Sequence, residues 1–342
     1  MSEQELRLLD GAIPPAANPL LFGHAAAEDF LAQSYRSGKG HHAILLEGPE
    51  GIGKATLAFR FADHVLRHPD PVSAPPHLAD PDPESETRRQ MAAGASHNVL
   101  HLERPVDPKS GRLKTAITVD ETRKLGKFFG QTSGTGNWRI AIIDPADDMN
   151  ANAANALLKI LEEPPRRSML LLLAHSPGKL LPTIRSRCMR LRLNPLDRGD
   201  MLSALGHLGV KMPAGQEEQI VSMADGSVAE ALVLVNHGGL DILAAFRDII
   251  ADPGPARRRK MQKLADVLSG KDAGMIHDFF ISRVTGELMA MARARAVAGD
   301  AATADRLAKL SSDLGEKIAL SLGYNLDKKQ TILSILEAFA QA

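Results

Sequence analysis

The sequence contains a single cysteine, Cys188, which excludes an internal disulfide and any multi-cysteine zinc site. Aromatic residues make up 4% of it, with one Trp and two Tyr, too few for a stacking platform that grips single-stranded nucleic acid. An excess of either charge is also missing. The 41 Lys and Arg balance 41 Asp and Glu, so no global basic field draws the chain to nucleic acid, and any such contact is local or shared with partners. No run of 18 apolar residues occurs, and the opening MSEQELRLLDGAIPP lacks a signal-peptide pattern. A cytoplasmic protein without a membrane segment is therefore expected. What is present is 342 residues at 44% hydrophobic content, enough for two or three globular domains.

The first half alternates short apolar runs with helical spacing. After a lead-in of about 20 residues rich in Pro and Ala, 25–37 has helical periodicity, with Phe30, Leu31 and Tyr35 on one side. His42-Ala43-Ile44-Leu45-Leu46 predicts a buried strand and Lys54 to His68 a helix. Further strands are expected at 98–102, 139–144 and 169–174, and helices at 119–129 and 152–163, the last stopped by Pro164-Pro165. Asp120 is a candidate cap for the 119–129 helix. This order predicts a doubly wound α/β fold, a parallel sheet with helices on both faces. The stretch 69–97 is loaded with Pro, Asp, Ser and Glu and is expected to be an exposed, mobile insertion. From Pro195 onward the pattern is helical, with short helices at 197–209, 216–224 and 227–236 and longer amphipathic stretches after Gly238-Gly239.

Gly48-Pro49-Glu50-Gly51-Ile52-Gly53-Lys54-Ala55 follows the phosphate-loop pattern G-x-x-x-x-G-K-[ST] everywhere but at its last position. Such a loop wraps phosphate oxygens in backbone N–H groups at a helix N-terminus, with the lysine facing the β- and γ-phosphates. The closing hydroxyl ligates Mg²⁺ in a working site. Here that position carries the methyl of Ala55, and Thr56 comes one residue late. The candidate nucleotide-contacting residues are Gly48, Gly51, Gly53, Lys54, Ala55 and Thr56, holding ATP or ADP without hydrolysing it. The competing reading is a retained turn whose pocket is blocked.

Two further blocks, Asn155-Ala156-Leu157-Leu158-Lys159 with Leu161-Glu162-Glu163-Pro164-Pro165, and Thr183-Ile184-Arg185-Ser186-Arg187-Cys188, resemble the bacterial clamp-loader AAA+ family. Within it, the resemblance is to the delta-prime subunits of DNA polymerase III. Phe22-Gly23-His24, the phosphate loop and 117–125 agree as well. Weaker agreement runs through Gly226-Ser227 and Asn325-Leu326-Asp327-Lys328-Lys329. The resemblance implies an AAA+ nucleotide-binding-like domain over 1–195, with 69–97 as its insertion. A small helical lid domain over 196–238 and an all-α collar domain over 239–342 would follow. It also implies gamma/tau motor subunits and a delta subunit as partners, with the sliding clamp and primer-template DNA reached through the complex.

Departures from the family pattern bear on catalysis. Where motor members carry an Asp-Glu pair after a central strand, this chain has Asp144-Pro145, and proline offers no base to orient an attacking water. The polar threonine expected after the next strand is replaced in Ala174-His175. The arginine expected after Gly226-Ser227-Val228 is Ala229. Relatives with a four-cysteine zinc module place it where 69–97 has none, and His68, His77 and His97 are read as solvated, so no zinc is expected. By the same resemblance Arg187 is an arginine finger acting in trans on the nucleotide of a neighbouring subunit; the bland alternative is a surface arginine near a helix end.

The expected function is thus a non-catalytic delta-prime-like subunit that helps load the sliding clamp onto primed DNA. The alternatives are an ATP-hydrolysing gamma/tau-like motor in which Thr56 stands in for the lost hydroxyl, and a small-molecule P-loop kinase, which Asp144-Pro145 and the helical C-terminal part do not suit. Polymerase activity would belong to the assembly. Cys188 is expected to be a small buried hydrophobe. Glu162-Glu163 read as a helix terminus that is solvated or touches a neighbour, and Arg257-Arg258-Arg259-Lys260 as solvated surface, with DNA contact as the sharper alternative.

Overall fold

The structure, a computed structural model, describes residues 8–82, 84–108, 111, 113–130, 136–252, 254–270, 273–324 and 326–341. The motif residue Asn325 lies outside them. The chain divides into two compact units, residues 1–210 with 214–231, and residues 211–213 with 232–342.

In the first unit the elements follow in the order α1 (Ala25–Arg36), β1 (Ala43–Glu47), α2 (Lys54–Arg67), α3 (Glu86–Ala92), β2 (Val99–Leu102), α4 (Val119–Gly130), β3 (Arg139–Ile143), α5 (Ala151–Glu162), β4 (Ser168–Ala174), α6 (Pro182–Arg185), β5 (Met189–Arg192), α7 (Arg198–His207) and α8 (Glu217–Ala224). The strands form one five-stranded parallel sheet in the order β2-β3-β4-β1-β5. β1, β3 and β4 are buried along their whole length, as unbroken apolar runs covered on both faces should be. Alternate residues serve two cores. Ile44, Leu46, Ile142 and Leu171 meet α1 and α2 on one face, and Leu45, Ile143, Leu170 and Leu172 meet α4 and α5 on the other.

The structure corrects the sequence reading in several places. β5 is an additional strand. Its Met-Arg-Leu-Arg alternates half-buried with exposed residues at the sheet edge, so it lacks the apolar run that marks its neighbours. On α1 the buried stripe is Ala27, Leu31 and Tyr35, spaced i, i+4, i+8, whereas Phe30 is 45% exposed. The 69–97 stretch is not uniformly exposed: it contains α3, and Ala74 and Met91 enter the core beside α2. Ser85 caps α3 by accepting from the Arg88 N–H. Asp120 lies in the first turn of α4 and pairs with Arg123.

The unit boundary falls within α9 (Val228–Asn236). The second unit continues with α10 (Gly239–Ala251), α11 (Arg257–Leu268), α12 (Gly274–Val297), α13 (Ala301–Tyr324) and α14 (Lys328–Gln341). Its core is built on Phe246, Phe280, Leu264, Leu288, Ile335 and Leu336, with the rings of Phe280 and Phe339 standing edge-on to Phe246. The basic run at the start of α11 is only partly solvated surface. Arg257 donates to the Ala340 carbonyl, and Lys260 pairs with Asp248 and Asp252. Among the described residues no single helix is long and apolar enough to cross a membrane.

Candidate functional site

β1, β4 and β5 run side by side, and the first glycine of the phosphate loop is pinned where they end. The Gly48 N–H donates to the Ala174 carbonyl of β4, and the Leu193 N–H, just past β5, donates to the Glu47 carbonyl. Carboxyl ends of parallel strands are where α/β sheets gather ligands. From there the loop turns through Gly51 at φ +76° and Gly53 at φ +104° into α2, conformations that favour glycine. At Gly51 space demands glycine too. A Cβ there would lie 2.4 Å from both the Ala229 Cβ and the Ser227 Oγ. The Val228 N–H donates to the Gly51 carbonyl at 3.0 Å, so the segment holding Ala229 is seated directly on the loop.

Lys54 is buried, and its ammonium is turned onto the loop itself. Nζ donates to the Gly48 carbonyl at 2.7 Å and to the Pro49 carbonyl. Burial pulls its pKa down to about 8, against the opposing charges of Asp144, Glu50 and Asp147. The Ala55 methyl packs against the core and offers no oxygen to a metal. Thr56 is buried one position further along α2. Successive residues of a helix point about 100° apart, so the Thr56 hydroxyl cannot serve in the place of Ala55 without rotating α2. The residues present therefore do not fit a Mg²⁺-bound triphosphate.

A second lock on the loop escaped the sequence reading. His24, just before α1, donates from Nε2 to the Ile52 carbonyl at 2.7 Å. Burial lowers its pKa, the Ile52 bond and Asp200 act the other way, and Lys54 adds to the lowering. The ring is thus held neutral, with its proton on the nitrogen that makes the bond. Phe22-Gly23-His24 carried that signal, but only as a motif without a stated role.

Asp144 follows β3 and is joined to Pro145 by a cis peptide bond. Burial opposes ionisation of its carboxyl, yet the neighbouring His101, together with His175 and Lys54, holds the pKa below the ordinary value. Asp147 accepts the N–H groups of His175 and Ser176 at 3.0 and 2.8 Å. It fastens the end of β4 where the family pattern places a polar side chain. Pro145, the residue directly after Asp144, carries no side-chain base.

Arg187 makes its contacts elsewhere. Lying between α6 and β5, it donates from Nη1 to the Thr183 carbonyl at 3.0 Å and pairs through Nη2 with Glu162 Oε1 at 2.8 Å. The Cys188 thiol beside it is buried in the core, and burial pushes its pKa up to about 12, as a packing cysteine requires. His77 pairs with Asp29. Among the described residues no group of three His, Cys, Asp or Glu is placed to hold a metal ion.

Gly51→Ala combines a positive φ with a clash against backbone and Cβ atoms. It is expected to destabilise the first unit by about 1–3 kcal/mol, read as a lowered urea midpoint with an unchanged slope. A neutral result would mean that Ser227–Ala229 is not seated on the loop.

Residues 23–197 match the model of the family described as "DNA polymerase III, delta subunit". The chain is 36% identical over 197 residues to the DNA polymerase III subunit delta' of Pseudomonas aeruginosa, covering 58% of this chain and 56% of that protein. It is 28% identical over 211 residues to the DNA polymerase III subunit gamma of Buchnera aphidicola, covering 60% and 54%. The matches thus span about half the length of these relatives. A solved structure of a DNA polymerase III gamma subunit-related protein from Thermotoga maritima is similar over 92% of this chain and 99% of its own, at 16% identity and a TM-score of 0.46.

Proposed function

This chain belongs to the DNA polymerase III delta-subunit family, and on that premise we propose that it is a non-catalytic, delta-prime-like clamp-loader subunit. It takes its place beside gamma/tau motor subunits and a delta subunit, and helps load the sliding clamp onto primed DNA. Its contribution to chemistry is Arg187, presented in trans to the ATP of the adjacent motor, where a guanidinium neutralises charge developing on the transferred phosphoryl group.

The observation that carries this reading is the contrast between the two sites. The phosphate loop is occupied by its own lysine and closed by Ser227–Ala229, with a methyl at position 55 and a proline directly after Asp144. Arg187 is held at the surface with donors to spare. ATP or ADP would enter the loop only after Lys54 left the Gly48 and Pro49 carbonyls, so weak binding without turnover is the expected behaviour.

The purified chain should show no ATP turnover, and Lys54→Ala should leave that baseline unchanged. Turnover that disappears with Lys54→Ala would instead establish a motor subunit. Residual nucleotide binding, measured by titration with labelled ATP, should strengthen as pH falls through about 8. The phosphate-binding form of Lys54 is the charged one, which burial disfavours above that pH. Binding accompanied by proton uptake near pH 8 is the calorimetric sign.

A further inference from the structure

We propose that Glu162 is the positioning residue for Arg187. The proposal rests on the reading of Arg187 as a trans-acting arginine. The backbone at Arg187 is fixed from both sides, since Ile184 and Cys188 are buried in the core and the Arg187 N–H donates to the Ile184 carbonyl at 3.1 Å. What remains free is the side chain, whose rotamer entropy opposes its being held in one direction.

Two contacts from different elements restrict it. The Thr183 carbonyl on α6 accepts an N–H at 3.0 Å, and the Glu162 carboxylate at the end of α5 forms an ion pair with Nη2 at 2.8 Å. A guanidinium has five N–H donors, so N–H groups remain for a phosphate. At 38% exposure the group still faces solvent, and Glu162 is 51% exposed. Glu162 lies outside the phosphate loop and touches the arginine only from its own subunit's side. Its effect is therefore on where the guanidinium points. An exposed pair of this kind has a modest worth, which sets the scale of the result.

The test is a double-mutant cycle in the reassembled complex, with the motor site next to this chain the one left competent, and kcat and KM for ATP measured separately. Glu162→Ala is expected to lower kcat about two- to fivefold with KM unchanged. Glu162→Gln, which keeps an oxygen acceptor but not the charge, should recover part of the loss. On an Arg187→Ala background, Glu162→Ala should cost nothing further. A thermal melt of each variant checks that the fold is intact. If Arg187→Ala lowers kcat but Glu162→Ala is silent, or lowers it equally on both backgrounds, positioning by Glu162 is wrong while the trans-acting arginine stands. If Arg187→Ala itself leaves kcat unchanged, both fall.

Discussion

Arg187→Ala is expected to reduce ATP turnover at the adjacent motor site by roughly 10²-fold or more, at the low end or somewhat below the 10³–10⁵ range seen for arginine fingers. Thermal stability of the chain should change little. The two halves of that expectation have separate physical grounds. Arg187 is partly exposed, and its bonds go to a carbonyl and to a carboxylate that is itself half in water. Deleting it leaves no buried group without a partner, which places the stability cost within about 0.5 kcal/mol. On the proposed reading the turnover loss arises in the neighbour, where the fixed positive charge against the γ-phosphate oxygens is removed. Arg187→Lys should recover only part of the rate, because an ammonium lacks the planar fork that engages two oxygens at once. Assembly must be measured alongside turnover, by size-exclusion chromatography of the complex. Full turnover in an assembled Arg187→Ala complex would remove the trans-acting role.

The difference in legibility between the loop and its surroundings has a physical origin. Gly48, Gly51, Gly53 and Lys54 were readable because a phosphate loop fixes residue type by position along the chain: a turn needs positive φ, and the lysine needs the first helical turn. β1, β3 and β4 were readable because strands buried on both faces become unbroken apolar runs. β5 was not, since an edge strand is free to carry Arg190 and Arg192 outward, and Arg190 there forms two bonds to the buried Glu47 of β1. The closure of the loop by His24 and by Ser227–Ala229 joins residues far apart in sequence, and no local periodicity records such contacts. The same holds for Glu162 with Arg187. The sequence reads the first as part of a helix terminus and the second as a trans-acting arginine, and only the fold places one beside the other.

The largest expected stability effect lies on α2, next to the segment that composition misrepresented. Arg60 on α2 is 4% exposed, and it binds three pieces of chain at once. Nε pairs with Glu28 of α1 at 2.6 Å, Nη1 donates to the Pro19 carbonyl at 2.5 Å, and Nη2 pairs with Asp80 at 3.1 Å. Asp80 is largely exposed and its pair contributes little. Glu28 is only 16% exposed. Burial holds its pKa above the ordinary value of 4.5, with Arg60 pulling the other way. Asp63, fully buried one turn along, is likewise raised by burial and relieved by Arg67, Arg88 and Arg60.

Arg60→Met therefore keeps most of the volume but strands a buried carboxylate, an outcome expected to cost about 3–5 kcal/mol at neutral pH. The sign of the pH dependence follows. With the cation gone the folded-state pKa values of Glu28 and Asp63 rise further above those of the unfolded chain, so the folded state holds protons that the unfolded state has released. Stability of the variant then falls as pH rises above the unfolded values. The deficit relative to the wild-type chain should be smaller at pH 5 than at pH 7.5 in urea unfolding. Adding Glu28→Gln removes the stranded charge while keeping a hydrogen-bonding side chain, and should recover part of the loss at pH 7.5 but little at pH 5. A deficit below about 1 kcal/mol, or one independent of pH, would show that Arg60 does not join α2 to α1 through an ion pair shielded from water.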